Sequence, residues 1–116
     1  MTSFHIETPT RNDDGWTCRV RIDAASPYFD GHFPDHPVLP GVAQMLLVED
    51  VLQRCVDSTV IVAFPQMRLR RQIAPDDELA VIIADRDSEG QHAFRIHRDG
   101  QPVTTGRILA ADGSTQ

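Results

Sequence analysis

A chain of 116 residues has the length of one domain, and at 41% hydrophobic content it can build a single core without disulfide or metal staples. Eleven basic against seventeen acidic residues leave a net charge of −6, which argues against a nucleic-acid binder working through a basic face. No apolar run approaches the roughly 18 residues that a membrane span needs. Every basic residue is arginine, a side chain suited to bidentate anion contacts. Cys18 and Cys55 match neither a disulfide framework nor a zinc spacing and read as small core residues in a reducing compartment. The first residues show neither a basic n-region nor an apolar h-region, so a cytoplasmic location is expected. One domain over residues 1–116 is expected, with frayed ends at about 1–3 and 112–116.

Trp16, Cys18, Val20 and Ile22 alternate with Thr17, Arg19, Arg21 and Asp23, the period of a strand with one buried face. Residues 24–40 hold Pro27, Pro34, Pro37 and Pro40, each lacking an N–H, so this segment is a stiff shaped loop. A helix is expected from Pro40, which suits the first helical position, to Asp57-Ser58. Its apolar positions Val42, Met45, Leu46, Val48, Leu52, Cys55 and Val56 cover more than one stripe and predict a largely buried helix. Strands follow over 60–64 and 67–70, and the apolar parity that Ile73 continues turns Arg71 inward unless a bulge intervenes. Residues 79–84 are apolar on both faces, as in a central or interface strand. Glu89-Gly90 and Asp99-Gly100 signal hairpins to strands over 92–97 and 103–110. One helix against an antiparallel meander is an α+β fold.

The stretch Gly31-His32-Phe33-Pro34-Asp35-His36-Pro37-Val38-Leu39-Pro40-Gly41-Val42 carries the chemistry. It brings an imidazole to a rigid turn and then presents a helix N-terminus, whose first N–H groups lack intrahelical acceptors and carry the positive end of the dipole. Glycine at position 41 lets a ligand oxygen approach the backbone. A histidine beside a backbone oxyanion site suits proton abstraction next to a thioester carbonyl. On residue type alone, a single loop histidine is more often structural. His36 lies four residues from His32, but Pro34 between them forbids the helix that would align a metal pair, and no third ligand is evident. No metal and no cofactor are expected. His92 and His97 fall in the meander and are expected to face solvent.

These residues resemble the hot-dog-fold 3-hydroxyacyl-[acyl-carrier-protein] dehydratases. The resemblance rests on Gly31-His32-Phe33-Pro34, on Pro37-Val38-Leu39-Pro40-Gly41-Val42, and on Arg68-Leu69-Arg70-Arg71 followed by Pro75-Asp76-Asp77-Glu78-Leu79. Arg98-Asp99-Gly100-Gln101-Pro102-Val103 fits the family's last hairpin, so the likeness spans about residues 16–111. It implies a long helix wrapped by a curved antiparallel sheet and dimers with active sites at their interface, each subunit's histidine facing an acid from the other's helix. His32 would be the base on the substrate's C2, and the Gly41 N–H would polarise the thioester carbonyl. Phe33, Val42 and neighbouring apolar side chains, Leu46 among them, would line the acyl tunnel.

The family's helix acid, fourteen residues after the histidine, is here Leu46, which donates no proton. Asp50 lies four residues on, on the same helix face and about 6 Å farther along the axis. Two readings of Asp50 stand: a substitute acid, raised in pKa by burial against Val51 and Leu52, or a polar end of the helix. Gln44, about 200° around the helix from Leu46, is a poor substitute. Three functions compete: a dehydratase of chains on acyl carrier protein in fatty-acid or polyketide-like synthesis; a hot-dog thioesterase in which Glu49 or Asp50 activates water; and a catalytically silent subunit that binds acyl groups or pairs with an active relative. A homodimer or a heterodimer with a hot-dog relative is expected, and an acidic carrier would dock near Arg68, Arg70 and Arg71.

Overall fold

The computed structural model describes residues 4–29 and 38–112. His32, Phe33 and His36, with the middle of the proline-rich loop, lie outside the described residues. In chain order the elements are β1 (Phe4–Ile6), β2 (Thr10–Asn12), β3 (Gly15–Ile22), a 3₁₀ turn (Pro27–Phe29), α1 (Gly41–Cys55), β4 (Thr59–Leu69), β5 (Glu78–Ala84), β6 (Gln91–Arg98) and β7 (Gln101–Asp112). All strands pair antiparallel in one sheet of order β1-β3-β5-β6-β7-β4, with β2 beside β3. With α1 packed on one face, this is the α+β hot-dog architecture that the sequence implies.

The alternation seen in the sequence becomes rows of inward side chains. Cys18 faces Val81, Val81 faces Ile96, Ile96 faces Thr104, and Thr104 faces Leu69 across four strand pairs. The neighbouring row runs Trp16, Ile83, Phe94, Gly106, Met67. Strand β5 is apolar on both sides because it is central, between β3 and β6. It is paired on both edges, and the free edge near the helix belongs to β4. The hairpin turns form where expected, with Asp99 (φ 54°) and Gly100 (φ 77°) both left-handed, the geometry that matches strand twist. The short β1 and β2 have no counterpart in the sequence reading, since three residues are too few to display a period. Strand β7 continues to Asp112, opposite Thr59.

The helix begins one residue later than expected. Pro40 is the cap, with extended backbone, and its carbonyl accepts the N–H groups of Ala43 and Gln44. Burial follows a single stripe, Ala43, Gln44, Leu47, Val48, Val51 and Leu52, so the expected largely buried helix needs correcting. Val42 is 63% and Leu46 45% exposed, and both lie on the other stripe. The expected inward turn of Arg71 is corrected too. Strand β4 ends at Leu69, and the N–H groups of Arg70 and Arg71 both bond to the Val103 carbonyl, which breaks the alternation and leaves Arg71 exposed.

Candidate functional site

Gly41 opens α1 and lines a groove of about 260 Å³ together with Val38, Leu39, Gln44, Leu69, Arg70 and Arg71. Three segments of the chain converge there, each fixed by backbone bonds. Leu39 N–H donates to the Ile73 carbonyl at 2.8 Å, and Arg70 N–H donates to the Val103 carbonyl at 2.8 Å. The stretch between Arg71 and Asp77 is tied down by Arg98, whose Nη1 donates to the Gln72 carbonyl at 2.7 Å and to Asp77 Oδ2 at 2.8 Å. No acidic residue occupies the first turn of α1, and among the described residues no carboxylate pairs with Arg70 or Arg71. A helix N-terminus flanked by two unpaired guanidinium groups favours negative charge on a ligand. A Cβ on Gly41 would stand 3.4 Å from a Leu69 methyl, so a side chain there would narrow the groove at its helix end.

The sequence-predicted residues are divided by the structure. Gly41, Arg70 and Arg71 share the groove just described. Val42 and Leu46 line a second one of about 350 Å³, with Met45, Glu49 and the β4 residues Ile61, Val62, Ala63 and Phe64. Arg68 lies in neither: it pairs with Thr105 in register, on the strand parity opposite to Leu69 and Met67. Asp50 also lies in neither; its side chain is half-buried, 28% exposed, and accepts a bond from Arg54 Nε at 3.4 Å. The carboxylate on the Leu46 stripe is Glu49, whose Oε2 accepts the Ile61 N–H at 3.0 Å and so ties the helix to β4. Leu69 is a groove residue that the sequence reading did not single out. Its signal was its place inside Arg68-Leu69-Arg70-Arg71 with inward parity.

Both thiols behave as core groups. Cys18 is buried and its Sγ donates to the Glu7 carbonyl at 3.1 Å; burial pushes its pKa up, and it pushes that of Cys55 up to about 11. Burial thus works against thiolate formation at both positions. Among the described residues no cluster of His, Cys, Asp and Glu could hold a metal.

The expectation that His92 and His97 face solvent is corrected: both are half-buried. His92 Nδ1 lies 2.9 Å from the Ala84 carbonyl. His97 lines a concavity of about 510 Å³ with His5, Arg19, Arg21, Glu78 and Asp99. Two of its charged groups are paired: His5 meets Asp23, and Arg21 meets Asp23 and Asp76. No residue of α1 reaches it. His97 Nε2 is buried without a hydrogen-bond partner, and burial, then Arg95, lowers its pKa below the usual 6.5. The folded form thus holds a neutral imidazole, while the unfolded chain takes up a proton first as pH falls. Stability contributed above that ordinary value is lost progressively below it. Urea unfolding at pH 7.5 and pH 5 is expected to show a smaller pH-dependent loss for His97→Gln than for the parent; equal losses would mean that His97 does not contribute.

The family model for ApeI-like proteins, described as ApeI dehydratase, matches residues 8–107. A stretch of 73 residues is 34% identical to the 3-hydroxyacyl-[acyl-carrier-protein] dehydratase FabZ of Pelotomaculum thermopropionicum, covering 52% of this chain and 49% of that protein. The match therefore spans about half the length of that relative. The dehydratase heterocomplex ApeI:P from Xenorhabdus doucetiae contains a chain similar at a TM-score of 0.76 and 25% identity, over 92% of this chain and 94% of that one. A hypothetical thioesterase with coenzyme A from Streptococcus pneumoniae is similar at a TM-score of 0.61 and 13% identity, over 94% of this chain and 89% of that one, a likeness of fold alone.

Proposed function

The chain belongs to the ApeI-like dehydratase family, and from that premise we propose that it acts in the dehydration of 3-hydroxyacyl thioesters carried on an acyl carrier protein. The observation that carries this reading is Gly41 at the N-terminus of α1, facing a groove flanked by Arg70 and Arg71. In the proposed reaction His32 takes the C2 proton while the Gly41 N–H stabilises the negative charge that grows on the thioester oxygen. The C2–H electron pair forms the C2=C3 bond, and the C3 hydroxyl leaves as water once an acid protonates it. Phe33 is assigned to the acyl-binding wall.

The source of that acid separates two readings. Leu46 stands at the acid position, Glu49 is bonded to the backbone of β4, and Asp50 faces Arg54. These observations favour pairing with a hot-dog relative whose helix supplies the carboxylate; the similar dehydratase structure is itself a heterocomplex. The exposed apolar row of Val42 (63%), Leu46 (45%) and Val62 (57%), beside the free edge of β4, supports a dimer formed through this face. The test is an assay with 3-hydroxyacyl, enoyl and saturated acyl thioesters, run on the chain alone and with whatever hot-dog relative copurifies. Interconversion of hydroxyacyl and enoyl forms supports the dehydratase, release of free acid from the saturated thioester makes it a thioesterase, and silence in every arm makes it a binding subunit. Asp50→Asn in the same assay locates the acid: a fall in turnover places it on Asp50, and unchanged turnover places it on the partner.

Carrier docking is assigned to the arginines, with Arg70 and Arg71 dominant because they line the groove. The overall charge of −6 repels an acidic carrier, so the attraction is local and weakened by salt. Arg70→Glu with Arg71→Glu is expected to weaken carrier binding about tenfold or more at low salt, at least about 1.4 kcal/mol and so near the low end for charge pairs at an interface. Arg68→Glu has a smaller effect. Titration by fluorescence anisotropy at two salt concentrations measures both, and equal effects from Arg68 and the Arg70/Arg71 pair would place docking elsewhere.

A further inference from the structure

We infer that Gln44 and Thr104 form a buried clamp that positions the Gly41 amide, an inference that rests on the groove at the start of α1 being the thioester site. Gln44 is 2% exposed and Thr104 fully buried, in a core otherwise built of apolar side chains such as Leu47, Val48, Ile96 and Val103. Thr104 Oγ1 donates to Gln44 Oε1 at 2.5 Å, and Gln44 Nε2 donates to the Leu39 carbonyl at 3.1 Å. Leu39 in turn donates its N–H to the Ile73 carbonyl at 2.8 Å, so its backbone is held on both sides. Leu39 precedes the cap Pro40, and Gly41 follows. The clamp therefore joins β7 to the start of α1, the segment entering α1 and the segment leaving β4, and the last three wall the groove.

The inward aim of Thr104 follows the alternation of β7, and a bulge begins just beyond it. Between Ile96 opposite Thr104 and His97 opposite Pro102 the register shifts, leaving Val103 as an extra residue in β7. Thr104 faces inward with Gly106 and Ile108 by regular alternation, the bulge brings Val103 inside beside it, and the Val103 carbonyl holds Arg70 and Arg71. Burying an amide against a hydroxyl adds little to stability, because each gives up water to make the bond, and an apolar pair of similar shape would serve the core about as well. What the polar pair adds is direction. Hydrogen bonds fix the plane of the Leu39 carbonyl, whereas apolar contact is indifferent to it. Gln44 and Thr104 are positioning residues: their side chains are buried and act through the backbone that carries Gly41.

The test uses Thr104→Val, Thr104→Ser and the double variant Gln44→Leu with Thr104→Val, which keeps an apolar core if the single valine variant folds poorly. Amide hydrogen exchange is read at Leu39, Ala43 and Gln44, whose N–H groups are bonded in the parent, and at Val81 and Phe94 as remote controls. Thr104→Val and the double variant are expected to speed exchange at least tenfold at the first three amides and not at the controls, with Thr104→Ser restoring the parent rate. With a 3-hydroxyacyl thioester on carrier protein, kcat is expected to fall at least tenfold with KM within about twofold, since misplacing a charge-stabilising donor harms the transition state more than binding. Unchanged exchange overturns the clamp, and faster exchange with unchanged kcat overturns its role in positioning. A parent chain without turnover on any thioester, alone or with its partner, counts against the dehydratase reading instead, and the exchange arm still decides the clamp.

Discussion

His32→Ala is expected to lower dehydration of a 3-hydroxyacyl thioester by about 10²–10⁴-fold, the range for a positioned general base, with dimerisation and thermal stability unchanged. The C2 proton of a thioester is a weak acid, and its removal needs both a base at the carbon and a donor at the carbonyl oxygen. In the proposed reaction the donor is the Gly41 N–H, without an intrahelical acceptor and at the positive end of a fifteen-residue helix. Loss of the base leaves that donor and the groove in place, so thioester binding should survive while turnover does not. Steady-state kinetics beside equilibrium binding of a non-reactive acyl thioester separate the two. A variant that turns over as fast as the parent removes His32 from the chemistry, and one that loses binding as well gives His32 a part in building the groove.

Phe94→Ala is expected to cost about 3–5 kcal/mol, the range for deleting a buried aromatic ring, against roughly 5–15 kcal/mol for a whole domain. The Phe94 ring is 1% exposed and meets Phe64 edge-on at a centroid distance of 5.9 Å. It also lies over Gly106 of β7, where an added Cβ would stand 2.6 Å from the ring and 2.4 Å from the Gln66 carbonyl oxygen. Glycine is required there by close approach, and the ring fills the space that its missing side chain leaves. Neighbouring backbone held in the sheet cannot collapse into the cavity that alanine would create. Urea unfolding monitored by circular dichroism measures the loss through the midpoint, and a change below about 1 kcal/mol would show that the sheet closes over the gap.

Periodicity and local backbone chemistry were enough to read the α+β class, the alternation of β3, the double-sided character of β5 and the two hairpins. They also placed the helix start to within one residue. Each of these is encoded within a few neighbours: alternation by the pleat, the helix start by Pro40, the β6–β7 turn by residues that accept positive φ. Gly41 was legible for the same reason, as a glycine just inside a helix N-terminus. Side-chain directions set by register were not legible. The stripe of α1 that is buried depends on where the sheet meets the helix, so Leu46 and Val42 read as core and stand exposed, while Gln44 read as a poor candidate and stands in the core. Arg70 and Arg71 reach the groove, and Arg68 does not, because β4 ends at Leu69 and the Val103 carbonyl takes the next two N–H groups. Thr104 meets Gln44 across sixty residues by the alternation of β7, and Val103 beside it turns inward only because a one-residue bulge breaks that alternation. A strand's period of two makes every face assignment hostage to a single inserted residue, and only the paired strand, far away in the chain, decides where that residue falls.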